Sequence, residues 1–198
     1  MKILGLKSMI RIKKYRSYRG EVGKIAPNLL QRNFKATEPN RKWATDITEF
    51  SLFGQKIYLA TLIDLYNGEI VNYNVKGRPT YPLVGEMLKK VESLMKNNPG
   101  LILHSDQGWH YQMKRYQMFL ADCNTNQSMS RKGNCLDNAV QENFYGLLKS
   151  ELLYLQEFNN IEHFINELHD YIRYYNNDRI KTKLKMSPVQ YRTHFQAA

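Results

Sequence analysis

Thirty-five residues separate Asp106 from Glu142, and the chain around each acid has a different local character. Leu101-Ile102-Leu103 is a short apolar run that ends in His104-Ser105-Asp106-Gln107-Gly108. It reads as a buried strand delivering one carboxylate to a glycine turn. Downstream, Asp137 or Asn138 can cap a helix, with Glu142 about one turn inside it. Upstream, Trp43-Ala44-Thr45-Asp46-Ile47-Thr48 places a third acid in a strand-like run. A chain with two acids on strands and a third on a later helix must fold so that distant segments meet, or the acids mean nothing together.

The order of elements follows from the patterning. Trp43 to Leu52 is rich in β-formers. Lys56 to Asp64 (KIYLATLID) is a second β run, and Asn67-Gly68 is a hairpin signal. Glu69 to Val75 alternates apolar and polar residues. These three runs predict an antiparallel meander with Asp46 on its first strand. Tyr81-Pro82 opens a helix with Leu83, Met87, Val91 and Leu94 at helical spacing, closed by Asn97-Asn98-Pro99-Gly100. Strand 101–105 follows, then a helix over 111–122, a short strand over 126–130, a polar loop over 130–137, and the helix carrying Glu142. Ile161 to Asn176 is a long amphipathic helix, and Ser187-Pro188 can start a short terminal one. The order β-β-β-α-β-α-β-α-α predicts an α/β fold, a mixed sheet with helices on both faces.

Charge divides the chain unevenly. Of a net +11 over 198 residues, residues 1–41 hold eleven Lys and Arg against Glu21 and Glu38. A concentrated basic arm on a near-neutral body points to a polyanion. In it, Tyr15 and Tyr18 lie among Lys13, Lys14, Arg16 and Arg19, cations for phosphates interleaved with rings for bases. The bland reading is a solvated tail. Gly20, Gly23, Pro27 and Pro39 mark a linker, so residues 1–40 form an arm and 41–198 the core. Cys123 and Cys135 lack metal-finger spacing and read as ordinary thiols of a reducing compartment. The longest apolar run, 57–63, is too short to span a bilayer, and Lys7 interrupts the N-terminal apolar stretch. The expected location is cytoplasmic, on the nucleoid.

On a regular helix, Asn138, Glu142, Tyr145, Gly146 and Lys149 share one side and Val140, Phe144 and Leu147 the other. Glu142 then stands on an open face with Lys149 two turns on. Three carboxylates about 4 Å apart repel by roughly 4 kcal/mol per pair at a surface-like dielectric. A hard cation removes the conflict, and Mg²⁺ suits few carboxylates beside a phosphate. Two such ions support in-line displacement at a phosphodiester without a side-chain nucleophile. His104 reads as a packed histidine, and Asp64 as a turn acid.

Several segments together carry a resemblance: WATDITEF around Asp46, LILHSDQG around Asp106, the 35-residue interval, SRKGNCLDNAVQENFYGLLKSE around Glu142 and Lys149, and the tail YYNNDRIKTKLKMSPVQYR. With these the chain resembles the retroviral-integrase-like DDE transposases of bacterial insertion-sequence family three, over nearly its whole length. The resemblance implies an RNase H-like fold: a five-stranded mixed sheet with Asp46 on the first strand, Asp106 after the fourth and Glu142 on a following helix. It implies metal-dependent DNA cleavage and strand transfer, with Asp46, Asp106 and Glu142 as catalytic and metal-binding residues. Two Mg²⁺ ions would act when DNA is bound, with Mn²⁺ able to substitute. Lys149 would contact DNA near the scissile phosphate, and the arm residues Lys13, Lys14, Arg16 and Arg19 would add DNA contacts. Partners would be element ends and target DNA, a homo-oligomer assembled on DNA, and a helix-turn-helix protein from an upstream frame. The position of Met1 predicts that most of that helix-turn-helix region is missing. The alternatives are a truncated, non-catalytic DNA-binding regulator of transposition and a hydrolytic nuclease such as a junction resolvase.

Overall fold

The computed structural model describes residues 23–132 and 135–197. Three antiparallel strands come first: β1 (Lys42–Leu52), β2 (Gln55–Asp64) and β3 (Ile70–Lys76). Helices α1 (Tyr81–Lys90) and α2 (Glu92–Lys96) lead into β4 (Ile102–Ser105). Then come α3 (Trp109–Gln112), α4 (Lys114–Asp122) and β5 (Asn126–Met129). A 3₁₀ turn (Cys135–Asn138) precedes α5 (Ala139–Leu148), which runs into a π turn (Lys149–Leu153). Helices α6 (Ile161–Asn177) and α7 (Pro188–Ala197) complete the chain.

The strands form one mixed sheet in the order β3-β2-β1-β4-β5. β1 pairs antiparallel to β2 and parallel to β4, and β5 is parallel to β4. The parallel pairs need crossovers, and the helices between β3 and β4 and between β4 and β5 supply them. This is the RNase H-like fold expected from the sequence, with the three-stranded meander in place.

Each sheet face has its own core. On one side Trp43, Leu62, Leu83, Met87, Leu88, Leu103, Tyr116 and Leu120 pack under α1 and α4. On the other, Phe50, Leu59, Ile63, Phe144, Leu148, Phe164 and Leu168 pack under α5 and α6. Alternation along β2 explains the split, because Leu59 and Ile63 point one way and Ala60 and Leu62 the other. The α6 stripe is the one read from the sequence, with Phe164, Leu168, Tyr171, Ile172 and Tyr175 buried. Ser187 and Gln190 cap the start of α7 reciprocally, Oγ accepting from Gln190 N at 3.4 Å and Gln190 Oε1 from Ser187 N at 3.1 Å.

Three local expectations are corrected. The helix expected from Tyr81 to the Asn97 turn breaks at Val91 (φ −112°, ψ 11°). The helix expected over 111–122 breaks at Met113, whose backbone is extended (φ −68°, ψ 139°). Apolar periodicity continues through both breaks, so it could not reveal them. The Asn67-Gly68 hairpin is not a two-residue turn. Asp64 N donates to Glu69 O at 2.9 Å and Gly68 N to Asp64 O at 2.7 Å, closing a longer loop. Asn67 is buried there and donates to Pro188 O at 2.8 Å, so a contact with α7 decides the turn.

Residues 24–30, read as linker, lie against the outer edge of β5. Met129 N donates to Pro27 O at 3.3 Å and Leu29 N to Ser128 Oγ at 2.9 Å. The arm cations Lys13, Lys14, Arg16 and Arg19 lie outside the described residues. No helix among the described residues is long and apolar enough to cross a membrane.

Candidate active site

Sheet register brings the first two acids together. β1 and β4 run parallel with Thr45 opposite Ser105. Asp46, inside β1, and Asp106, just past the end of β4, are the next residues on each, so the two lie side by side on neighbouring strands about 4.8 Å apart. Asp106 leaves the sheet there, and its Oδ1 accepts from Gly108 N at 2.8 Å. A Cβ on Gly108 would lie 2.9 Å from that oxygen, so glycine permits the tight turn.

Asp46 is held from three sides. Its Oδ1 accepts from Ile47 N at 2.7 Å and its Oδ2 from Asn138 Nδ2 at 2.8 Å. Its backbone carbonyl accepts from Tyr145 Oη at 2.7 Å. Burial and then the charge of Asp106 push its carboxyl up to about 7, with a smaller push from Glu142. Burial also raises Asp106 above the ordinary carboxylate range. Asp46 thus feels both other acids, Asp106 more than Glu142.

Glu142 lies on the exposed side of α5. Among the described residues no three His, Cys, Asp or Glu side chains are grouped closely enough to hold a metal ion as they stand. The donors nevertheless fit a hard divalent cation. Two neighbouring carboxylates, one already driven towards protonation, favour one between them. Asn138 adds an oxygen: it is 8% exposed and its buried Oδ1 has no partner. The negative Asp46 turns the amide nitrogen inward and leaves that acceptor free.

The helix face read from the sequence is corrected at Tyr145. It is buried rather than on the open side, with Gln141, Phe144 and Leu148. Gln141 Nε2 donates to Ala44 O at 2.7 Å, and its Oε1 accepts from Thr61 Oγ1 at 2.9 Å. Tyr145 Oη is also 2.9 Å from Thr61 Oγ1. This polar seam locks α5 onto β1 and β2 at the level of Asp46. Positions 141, 145, 148 and 152 repeat at helical spacing, a signal hidden by the polarity of Gln141. Lys149 begins the π turn, with Nζ 5.9 Å from the Phe50 ring centroid, four residues beyond Asp46 along β1.

Asp137, expected at a helix end, is the hub of a clamp. Its carboxylate accepts from Arg131 N (3.1 Å), Nε (2.9 Å) and Nη2 (2.8 Å). It also accepts from Arg32 Nε and Asn28 Nδ2, both at 3.1 Å. The Arg131 guanidinium, above all, holds it far below the usual carboxylate range. The clamp joins the segment before β1 to the turn entering α5. His104 is a packed histidine, 2.8 Å from Ser128 Oγ and 2.9 Å from Asp137 O.

A mixed sheet with one acid within β1, a second just past β4 and a helix crossing beside them defines an integrase-type core. The integrase core domain family matches residues 36–135 and, through a second profile of the same description, 142–195. The putative transposase InsK for insertion sequence element IS150 of Escherichia coli (strain K12) is 53% identical, covering 97% of this chain and 68% of that protein. An uncharacterized transposase-like protein of Haemophilus influenzae is 50% identical over 98% of this chain and 89% of its own. The HTLV-2 integrase catalytic core domain in complex with magnesium (trimeric form) shares the fold, with a TM-score of 0.60 at 17% identity over 79% of this chain and 98% of that one. The chain belongs to the integrase-core DDE transposases of bacterial insertion-sequence family three.

Proposed function

We propose that this protein cuts DNA at the ends of an insertion sequence and joins the freed 3′-hydroxyl to a target phosphodiester. The observation that carries this reading is the β1–β4 register, which sets Asp46 and Asp106 side by side at the mouth of the fold. Asp46, Asp106 and Glu142 would hold divalent metal, Mg²⁺ in the cell and Mn²⁺ as a substitute, two ions once DNA is present. Such ions supply charge neutralisation at the phosphate and activation of the attacking hydroxyl. The magnesium complex of the HTLV-2 catalytic core supports that choice by analogy of fold.

The chain's own residues do the rest. Asn138 and Ile47 fix the Asp46 oxygens, and Gly108 fixes Asp106. The Gln141–Thr61–Tyr145 seam keeps α5 from sliding, and so would hold Glu142 on the helix beside the other acids. Lys149, Lys13, Lys14, Arg16 and Arg19 would contact DNA phosphates. The acting species would be a homo-oligomer on DNA in the cytoplasm, with an upstream-frame helix-turn-helix protein contributing to end recognition. Residues 41–198 would form the catalytic unit and 1–40 the arm.

The test is a strand-transfer assay with oligonucleotides carrying the element's terminal repeats. Asp46→Asn, Asp106→Asn and Glu142→Gln should each abolish metal-dependent nicking and joining while leaving DNA binding intact. Joining by any of the three would overturn the assignment. Cutting without joining would mark a nuclease, and binding without either a regulator.

A further inference from the structure

Trp109 begins α3, three residues after Asp106, and 39% of its surface is exposed. The chain's other tryptophan, Trp43, is wholly buried at 0%. A single exposed ring needs no explanation on its own, but this one is held in place. It stacks on His110, with ring centroids 3.8 Å apart and planes 28° from parallel. His110 is buried, and its Nε2 donates to Pro79 O at 2.6 Å, so the imidazole cannot swing. On the other side, Gly108, the residue just before Trp109, donates its N–H to the Asp106 carboxylate at 2.8 Å. The indole therefore stands at a fixed offset from Asp106. Arg78, exposed, precedes Pro79 in the loop that pins His110.

We propose that Trp109 is a stacking platform for an unpaired DNA base beside the scissile phosphate, with Arg78 facing the adjoining backbone. The inference rests on the DNA reading above and names a residue that it does not use. Rigid aromatic faces take bases of any identity once those bases leave the duplex, and a nearby cation meets their phosphate. Strand cleavage near a duplex end requires access to the phosphate. A ring that captures a splayed base would hold the end open without touching the reacting atoms, so Trp109 acts as a positioning residue.

The experiment uses the full chain with Ca²⁺ in place of Mg²⁺ and two fluorescent duplexes of one element-end sequence. One is fully paired, and the other has its last three pairs mismatched. Anisotropy gives the affinity, and 2-aminopurine in the mismatched strand reports stacking. Trp109→Leu should weaken binding of the mismatched duplex roughly ten-fold and abolish 2-aminopurine quenching, with little effect on the paired one. Trp109→Phe should retain most of both. Equal affinity of wild type and Trp109→Leu for the mismatched duplex would overturn the proposal and leave the functional reading standing. So would an equal loss on both duplexes. Wild-type protein that binds neither duplex would remove both.

Discussion

The Asn138 amide donates to the Asp46 carboxylate at 2.8 Å across 92 residues of sequence, joining the turn that starts α5 to the middle of β1. The same amide leaves its Oδ1 buried and unpaired. An unmet acceptor of this kind costs on the order of 1–3 kcal/mol. A divalent ion held by Asp46 and Asp106, as proposed, would offer that oxygen a partner.

Asn138→Ala should therefore weaken divalent-ion affinity about ten-fold, as loss of a supporting hydrogen bond to a ligand does. The melting temperature should change by only a few degrees, because the orphaned acceptor leaves with the donor. Free Mn²⁺ counted by paramagnetic resonance during titration checks this. An unchanged affinity would reduce Asn138 to packing.

Asp46 makes the protein's stability fall with rising pH. Its carboxyl sits at about 7 when folded, against an unfolded value near 4. Between those values the unfolded chain has released a proton that the folded one retains, so stability declines from about pH 4 to about pH 7 and levels off above. The full linkage value is about 4 kcal/mol, and solvent at the cleft mouth should reduce it to about 2. Denaturation at pH 5 and pH 8 should show Asp46→Asn gaining more on wild type at the higher pH. Added Mg²⁺ should narrow the gap at pH 8.

The Asp137 clamp predicts the opposite slope. Its depressed carboxyl contributes stability above the ordinary unfolded value near 4, lost as pH falls below it. The Arg32 and Arg131 side chains are 47% and 57% exposed, so solvent recovers part of what the bonds supply. Asp137→Ala should cost about 2–3 kcal/mol. Hydrogen exchange should quicken in both residues 28–32 and the start of α5. Exchange rising in only one of them would show that the clamp does not couple them.

Gly108→Ala places a methyl 2.9 Å from Asp106 Oδ1 and 3.3 Å from the Tyr111 ring. Asp106 has to give way, because Tyr111 is packed in the core. Strand transfer should fall at least ten-fold while denaturant stability drops by only about 1 kcal/mol. A proportionate fall of both would indicate general unfolding instead.

Asp46 could be placed on the first strand and Asp106 just after a later one because local patterning marks strands, whereas the β1–β4 pairing that sets them side by side appears only in the folded sheet. The long stripe of α6 was equally plain. What escaped depends on partners far along the chain. Tyr145 looked like a polar-face residue until its ring met the core and its hydroxyl met the Asp46 carbonyl. Asp137 looked like a cap until Arg32, 105 residues away, reached it. Side chains that choose between solvent and a distant partner leave no periodic trace. The kinks at Val91 and Met113 leave none either, since the apolar positions keep their spacing across them.

The strip of chain at 26–29 that runs along β5 has a practical consequence. The sheet ends at β5, and this strip blocks that margin through Pro27, Leu29 and their hydrogen bonds. A shortened fragment begun at residue 36, where the family match starts, would bare the Met129 amide and the Ser128 and Met129 side chains at the sheet edge and take Asn28 and Arg32 away from the α5 entrance. Such a fragment would invite self-association and misreport the resting shape of the catalytic cleft.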